Sequence, residues 1–163
     1  MLPRQLLTLA FLVRENATSM QLLLGLKKRG FGKGKWNGFG GKVEAVDASI
    51  AAAAAREVEE EAHVVVRSED LQHCGVLLFS FESTKETMEV HVFLTHKFVG
   101  EPSESEEMKP QWYNATEIPY DHMWADDRIW LPQLLDGKSI QGHFFFAADE
   151  DTLLHYELKV TSD

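Results

Sequence analysis

Gly40-Gly41-Lys42-Val43-Glu44-Ala45-Val46-Asp47-Ala48-Ser49-Ile50-Ala51-Ala52-Ala53-Ala54-Ala55-Arg56-Glu57-Val58-Glu59-Glu60-Glu61-Ala62-His63 opens as a glycine-rich loop and closes as a helix. Alanine and glutamate are strong helix formers. Ser49 to Ala62 therefore predicts a helix, with Asp47 or Ser49 placed to cap its start. Glu57, Glu60 and Glu61 then stand at i, i+3 and i+4 and share one face. Each like-charge pair on such a face costs roughly 0.2–0.5 kcal/mol. Arg56 can reach Glu60 one turn on. A hard divalent cation relieves the repulsion, and Mg2+ favours carboxylate oxygens together with water and phosphate oxygens. The plain alternative is a solvated acidic face.

The segment just upstream shifts that balance. Residues 29–41 hold six of the eleven glycines, which predicts irregular backbone. Lys27, Lys28, Arg29, Lys33, Lys35 and Lys42 are six of the sixteen basic residues. Glycines let backbone amides approach an anion, and the cations supply charge. A basic glycine loop leading into an acidic helix describes a phosphate site with a metal site beside it. A flexible surface turn is the alternative for the loop taken alone.

Further out the pattern is of strands. Leu6 to Val13 is apolar and uncharged; with Gln21 to Lys27 it predicts a hairpin across the polar turn 15–19. His73 to Glu82 and Met88 to Phe98 read as two more strands, joined by a polar turn. Glu101 to Glu107 is an acidic loop, and Trp112-Tyr113 a short strand. A second helix is expected over Asp126 to Leu135, frayed or kinked at Pro132. Gly142 to Ala147 and Thr152 to Val160 close the chain as strands. Two helices and about seven strands in mixed order make an α/β (α+β) layered domain with a mixed sheet.

The 163 residues suit one domain, 1–163, with an ordinary core. The one cysteine, Cys74, excludes an intramolecular disulfide and reads as a core thiol. A formal charge of −10 argues against long nucleic acid as a partner, though not against one nucleotide. No apolar run of membrane-spanning length occurs. The start, Met1 to Thr8, reads as a strand rather than a signal peptide. His91 is expected to pack in its strand, without a second histidine at metal spacing.

The segment from Gly41 to His63 resembles the Nudix box: glycine, five residues, glutamate, seven residues, then Arg-Glu-aliphatic-x-Glu-Glu-x-Gly-aliphatic. Arg56, Glu57, Glu60 and Glu61 keep the core of that motif. Three positions depart from it. The spacing from Gly41 to Arg56 is one residue longer, the early glutamate is replaced by Asp47 or Ala48, and the final glycine is His63. That last position calls for a left-handed residue at the helix end, a conformation histidine tolerates better than most. Changed local geometry and rate are expected, with the metal site kept.

The resemblance extends beyond the box to Lys27-Lys28-Arg29-Gly30-Phe31-Gly32, Trp36 through Lys42, Val90-His91-Val92-Phe93, Glu107-Met108, Met123-Trp124-Ala125-Asp126-Asp127 and Trp130. These segments are similar to the branch of the Nudix family that acts on oxidised purine nucleotides. The resemblance implies an α/β/α sandwich with a mixed central sheet and two main helices. It implies hydrolysis of 8-oxo-dGTP, 2-hydroxy-dATP and related triphosphates to the monophosphate and pyrophosphate, which sanitises the nucleotide pool and prevents mutagenic incorporation. Mg2+ would be held by Gly41, Glu57, Glu60, Glu61 and Glu107, with Arg56 keeping the glutamates in position and Gly40, Gly41 and Lys42 forming the phosphate and metal loop. The base pocket would comprise Thr8, Lys27, Phe31, Asn37, Phe79, Met88, Trp124, Asp126 and Asp127, packed by Trp130. Trp124 offers a flat face to a purine. Asn37 both donates and accepts. Two adjacent acids raise one another's pKa and can share a proton. On the residues alone, Asp126 and Asp127 read first as a helix N-cap pair, and Trp124 and Trp130 as core; the resemblance is what turns them to a base pocket. Alternatives for function are a Nudix hydrolase of another nucleoside diphosphate derivative, and a non-catalytic nucleotide-binding module. A monomer acting on small nucleotides is expected, in the cytoplasm and in mitochondrial and nuclear pools.

Overall fold

The structure is a computed structural model and describes residues 4–162; Met1, Leu2 and Pro3 of the expected first strand lie outside them. Its elements are β1 (Arg4–Glu15), β2 (Met20–Lys27), β3 (Trp36–Asn37), α1 (Ile50–Ala62), β4 (Gln72–Phe81), β5 (Thr87–Thr95), β6 (Met108–Asn114), α2 (Asp127–Leu135), β7 (Ser139–Phe146) and β8 (Leu153–Thr161). The strands form one mixed sheet in the order β3-β2-β1-β5-β4-β7-β8, with β6 on the outer edge of β2. β1 runs parallel to β5 and β4 parallel to β7, while the hairpin pairs are antiparallel.

Alternation along the strands sends two sets of side chains to opposite faces. Phe11 and Val13 of β1, Leu22 and Leu24 of β2, Leu77 of β4 and Phe144 and Phe146 of β7 meet Trp130, Leu131 and Leu134 of α2. Ala10, Leu12, Leu23 and Phe93 meet Ala54, Val58 and Ala62 of α1. A helix thus covers each face, and the sandwich is the α/β/α arrangement the resemblance implies. Ser49 caps α1, its hydroxyl accepting from the Ala52 amide at 3.0 Å. Asp47 does not cap. Cys74 is a buried free thiol, and burial pushes its pKa up to about 11.

Three expectations need correction. Segment 29–41 is not wholly irregular: Trp36–Asn37 pairs with Leu26 and Gly25 of β2, and Phe39 and Lys42 then bridge Ala10 and Leu7 of β1. β2 holds β1 only through residues 20–23. Beyond that point the two strands separate, and residues 36–42 wedge between them. Two waiting strand edges outweigh the weak strand propensity of glycine, and glycine is what fits: a Cβ on Gly40 would lie 1.8 Å from the Thr8 carbonyl oxygen. β6 is longer than Trp112-Tyr113, because an edge strand paired only with β2 among the described residues can carry Pro110 on its free side. β5 stops at Thr95, short of Phe98.

Candidate active site

The splaying of β1 from β2 opens a cavity of about 250 Å3. Its walls come from β1 (Thr8), β4 (Phe79), β5 (Met88), the wedge (Asn37, Gly40, Gly41), the glycine loop (Phe31), Lys27, and the start of α2 (Trp124, Asp126, Asp127, Trp130). Every residue of the implied base pocket therefore lines one cavity. Glu61 enters the same cavity from α1.

At the α2 end, the Phe31 ring stacks on Trp124 at 4.9 Å and 28°. Asp126 and Asp127 are buried, 3% and 1% exposed. Asp126 sits at the N-cap position but makes no side-chain cap; its Oδ2 accepts from Trp130 Nε1 at 2.6 Å. The N-cap reading of the acid pair is thus overturned, because the indole N–H is a partner that the buried carboxyl takes in place of the helix amides. Trp130 is fully buried and packs the floor of the cavity. Burial raises the pKa of both acids, and the neighbouring Asp126 charge raises that of Asp127 further. Asp127 Oδ2 and Thr8 Oγ1 are buried without a hydrogen-bond partner in the protein. A buried unpaired polar atom costs about 1–3 kcal/mol. Two of them in one cavity mark where a ligand's polar atoms gain most.

At the α1 end, Glu61 is 6% exposed and its Oε1 accepts the Gly40 amide at 3.0 Å. Burial first, then the Glu57 charge, push its carboxyl up to about 8. Burial also raises Glu57. Arg56 organises the outer side of the box. Its Nε and Nη2 donate to Asp47 at 2.8 and 3.0 Å, Nη2 to the Lys42 carbonyl at 3.2 Å, and Nη1 to Glu57 at 3.0 Å and Glu60 at 3.4 Å. Asp47, not Ala48, thus supplies the acid of the lengthened loop, and Arg56 holds its carboxyl well below the usual range.

The donor set fits a hard divalent cation. Three carboxylates lie on one helix face, and Gly41 leaves room where a Cβ would come within 2.7 Å of Glu57 Oε1. Among the described residues no three such groups already converge on one point, because Glu57 and Glu60 lean on Arg56. The Glu107 charge reaches Glu61 of this helix, but its two oxygens are taken by Lys27 at 2.8 Å and Arg29 at 2.6 Å.

The ion pairs also correct the expected basic patch. Lys28 pairs with Glu104 at 2.6 Å and Lys35 with Asp151 at 2.7 Å. With Lys27 and Arg29 on Glu107, the acidic loop neutralises much of the glycine loop's charge. His91 does have a histidine neighbour: His73 Nε2 lies 2.9 Å from His91 Nδ1 across the strand pair. Sequence reasoning missed Phe81, Phe146 and Lys35 as cavity residues. The two phenylalanines carry only a strand signal, and nothing local ties Lys35 to Trp124.

His63 ends α1 at φ 59° and ψ 31°, in the left-handed conformation expected of it. Its ring Nδ1 lies 2.8 Å from Ser103 Oγ, a contact the family's glycine lacks. Two substitutions separate backbone from ring. His63→Ala keeps the strained φ and loses the hydrogen bond, so it costs about 1 kcal/mol, or roughly 2–4 °C in Tm. His63→Gly relieves the backbone and falls within about 0.5 kcal/mol of the parent. Thermal unfolding of the two proteins checks this; equal losses would show that the left-handed backbone carries no strain and that the ring alone sets the cost.

The model of the NUDIX domain matches residues 3–134, and the chain belongs to the Nudix family of hydrolases. Members of this family generally use divalent metal ions. Over its whole length the chain is 42% identical to the oxidized purine nucleoside triphosphate hydrolase of Danio rerio, covering 99% of that protein. It is 46% identical to the mouse (Mus musculus) protein of the same name over 139 residues, 85% of this chain and 86% of that one. The crystal structure of mMutator MutT protein from Bacillus halodurans superimposes with a TM-score of 0.80 at 26% identity, covering 95% of this chain and 97% of the other.

Proposed function

We propose that this chain hydrolyses oxidised purine nucleoside triphosphates, 8-oxo-dGTP and 2-hydroxy-dATP among them, to the monophosphate and pyrophosphate with Mg2+, and so cleanses the nucleotide pool. The observation that carries the reading is the buried acid pair beside Trp124, with Asp127 Oδ2 unpartnered, in the same cavity as Glu61. A purine seated on Trp124 gives those atoms their missing partners, and the phosphates then extend toward Gly40, Gly41 and α1. Thr8, Asn37, Phe79, Met88, Phe31 and Lys27 enclose the base. Glu57, Glu60 and Glu61 hold Mg2+, which when bound neutralises charge developing on the phosphates and lowers the pKa of its water. Arg56 sets the glutamates' geometry, and one of them, with Glu107, orients the attacking water. Because the acids share a proton, moving it between them changes which base edge is accepted. Residues 1–163 act as one catalytic domain, a monomer on free nucleotides of the cytoplasmic, mitochondrial and nuclear pools.

The test is pyrophosphate release from 8-oxo-dGTP and dGTP, and AMP release from ADP-ribose, with and without Mg2+, in the parent and in Glu60→Gln. Metal-dependent release that prefers the oxidised base and falls roughly 10²-fold or more in the variant supports the reading. Turnover of ADP-ribose alone replaces it with the other diphosphate substrate. Nucleotide binding without turnover makes the chain a binding module.

A further inference from the structure

Oxidation adds an exocyclic oxygen to a purine, and a site selective for it needs a donor at the base end. The cavity is lined by two cations. Lys27 lies toward the glutamates and pairs with Glu107. Lys35 lies at the other end, its ammonium 5.1 Å over the Trp124 ring. Its backbone is fixed: the Lys35 carbonyl accepts from the Lys27 amide at 3.0 Å, and its own amide donates to Gly32 at 3.0 Å. The side chain is mostly covered, but its partner Asp151 is 68% exposed, on the β7–β8 turn. An ion pair to so exposed a carboxylate is worth little and is readily exchanged. An ammonium has three donors, so the Asp151 contact leaves others for a ligand. The Lys35 charge also reaches Asp127, where it opposes the effect of burial.

We infer that Lys35 is a specificity-determining residue, its ammonium exchanging Asp151 for the exocyclic oxygen of an oxidised purine seated against Trp124. The inference rests on the proposed substrate class. Water leaves the ring face as the base enters, which strengthens a charge-assisted hydrogen bond there. Asp151 competes with the ligand for the same ammonium, so the two partners of this ion pair have opposite effects on binding.

The experiment is calorimetric binding of 8-oxo-dGMP and dGMP to the full chain, to Lys35→Met and to Asp151→Asn, with thermal unfolding confirming that each variant is folded. Lys35→Met is expected to lower the preference for 8-oxo-dGMP about tenfold, chiefly by weakening that ligand. Asp151→Asn is expected to keep or sharpen the preference. Equal weakening of both ligands in both variants would make the pair only a latch on the glycine loop and overturn the inference, as would parent-like binding by Lys35→Met. A parent protein that binds neither ligand, or both alike, overturns the substrate class itself and this inference with it.

Discussion

In Glu61→Gln, turnover falls roughly 10²–10³-fold, while the metal-free protein becomes more stable than the parent at pH 8. Both effects come from one buried carboxyl. Glu61 is buried against Gly40 and raised to about 8 by burial and by the Glu57 charge; in the unfolded chain it titrates near 4.5. Between these values the native state retains a proton that the unfolded chain has released. The stability tied to that proton is fully present below about pH 4.5 and is lost as pH rises toward 8. The loss amounts to a few kcal/mol. Glutamine keeps an oxygen for the Gly40 amide and does not titrate. Its Tm therefore falls less steeply from pH 5 to 8, though still measurably, because the raised Asp126 and Asp127 act in the same direction. Mg2+ raises the parent's Tm most at pH 8, where the carboxylate is available, and the variant's far less. Melting curves across this range, with and without Mg2+, read the stability changes, and pyrophosphate release reads the turnover. Parallel pH profiles for parent and variant would mean that Glu61 ionises in the fold at no cost.

The parts legible in the sequence were those whose cause is local. The α1 boundaries follow from the alanine and glutamate run and the Ser49 cap, and the left-handed end follows from His63 standing where a glycine is usual. That the members of the implied base pocket share one cavity was legible only through the resemblance, since Thr8, Phe79 and Trp124 sit on separate elements and no spacing links them. What stayed hidden was set by partners distant in the chain. Lys27 meets Glu107 across 80 residues and Lys35 meets Asp151 across 116, so a loop that reads as bare positive charge is largely paired. β3 has two residues, too few for any period to show. It forms because β1 and β2 separate there, which is a property of the assembled sheet and not of Trp36 and Asn37.

That separation also makes Gly40 one of the most tightly constrained glycines among the described residues. In Gly40→Ala the new methyl would lie 1.8 Å from the Thr8 carbonyl oxygen, 2.6 Å from its carbon and 3.0 Å from Leu9 Cα. All three atoms are backbone, so no side chain can rotate away. The wedge cannot retreat either, because Thr8 N to Gly41 O at 2.9 Å, Ala10 N to Phe39 O at 2.6 Å and Phe39 N to Ala10 O at 2.9 Å tie it to β1. Relief requires breaking those bonds and moving the Gly40 amide off Glu61. Overpacking a core with a side chain costs about 1–3 kcal/mol; with rigid backbone as the neighbour and several bonds at stake, the loss exceeds about 4 kcal/mol and is a large part of a domain's whole stability. The protein is expected to unfold or aggregate at 37 °C, or to melt at least about 10 °C lower. Gly30→Ala is the matched control. Gly30 has φ +76° but nothing within 4 Å of its would-be Cβ, so only the left-handed penalty applies, about 1–2 kcal/mol. Comparable Tm losses in the two proteins would show that backbone conformation, and not the close approach of the wedge to β1, is what the glycines of this loop provide. A Gly40→Ala loss several times larger identifies contact as the cause and ties the geometry of Glu61 to the packing of β1.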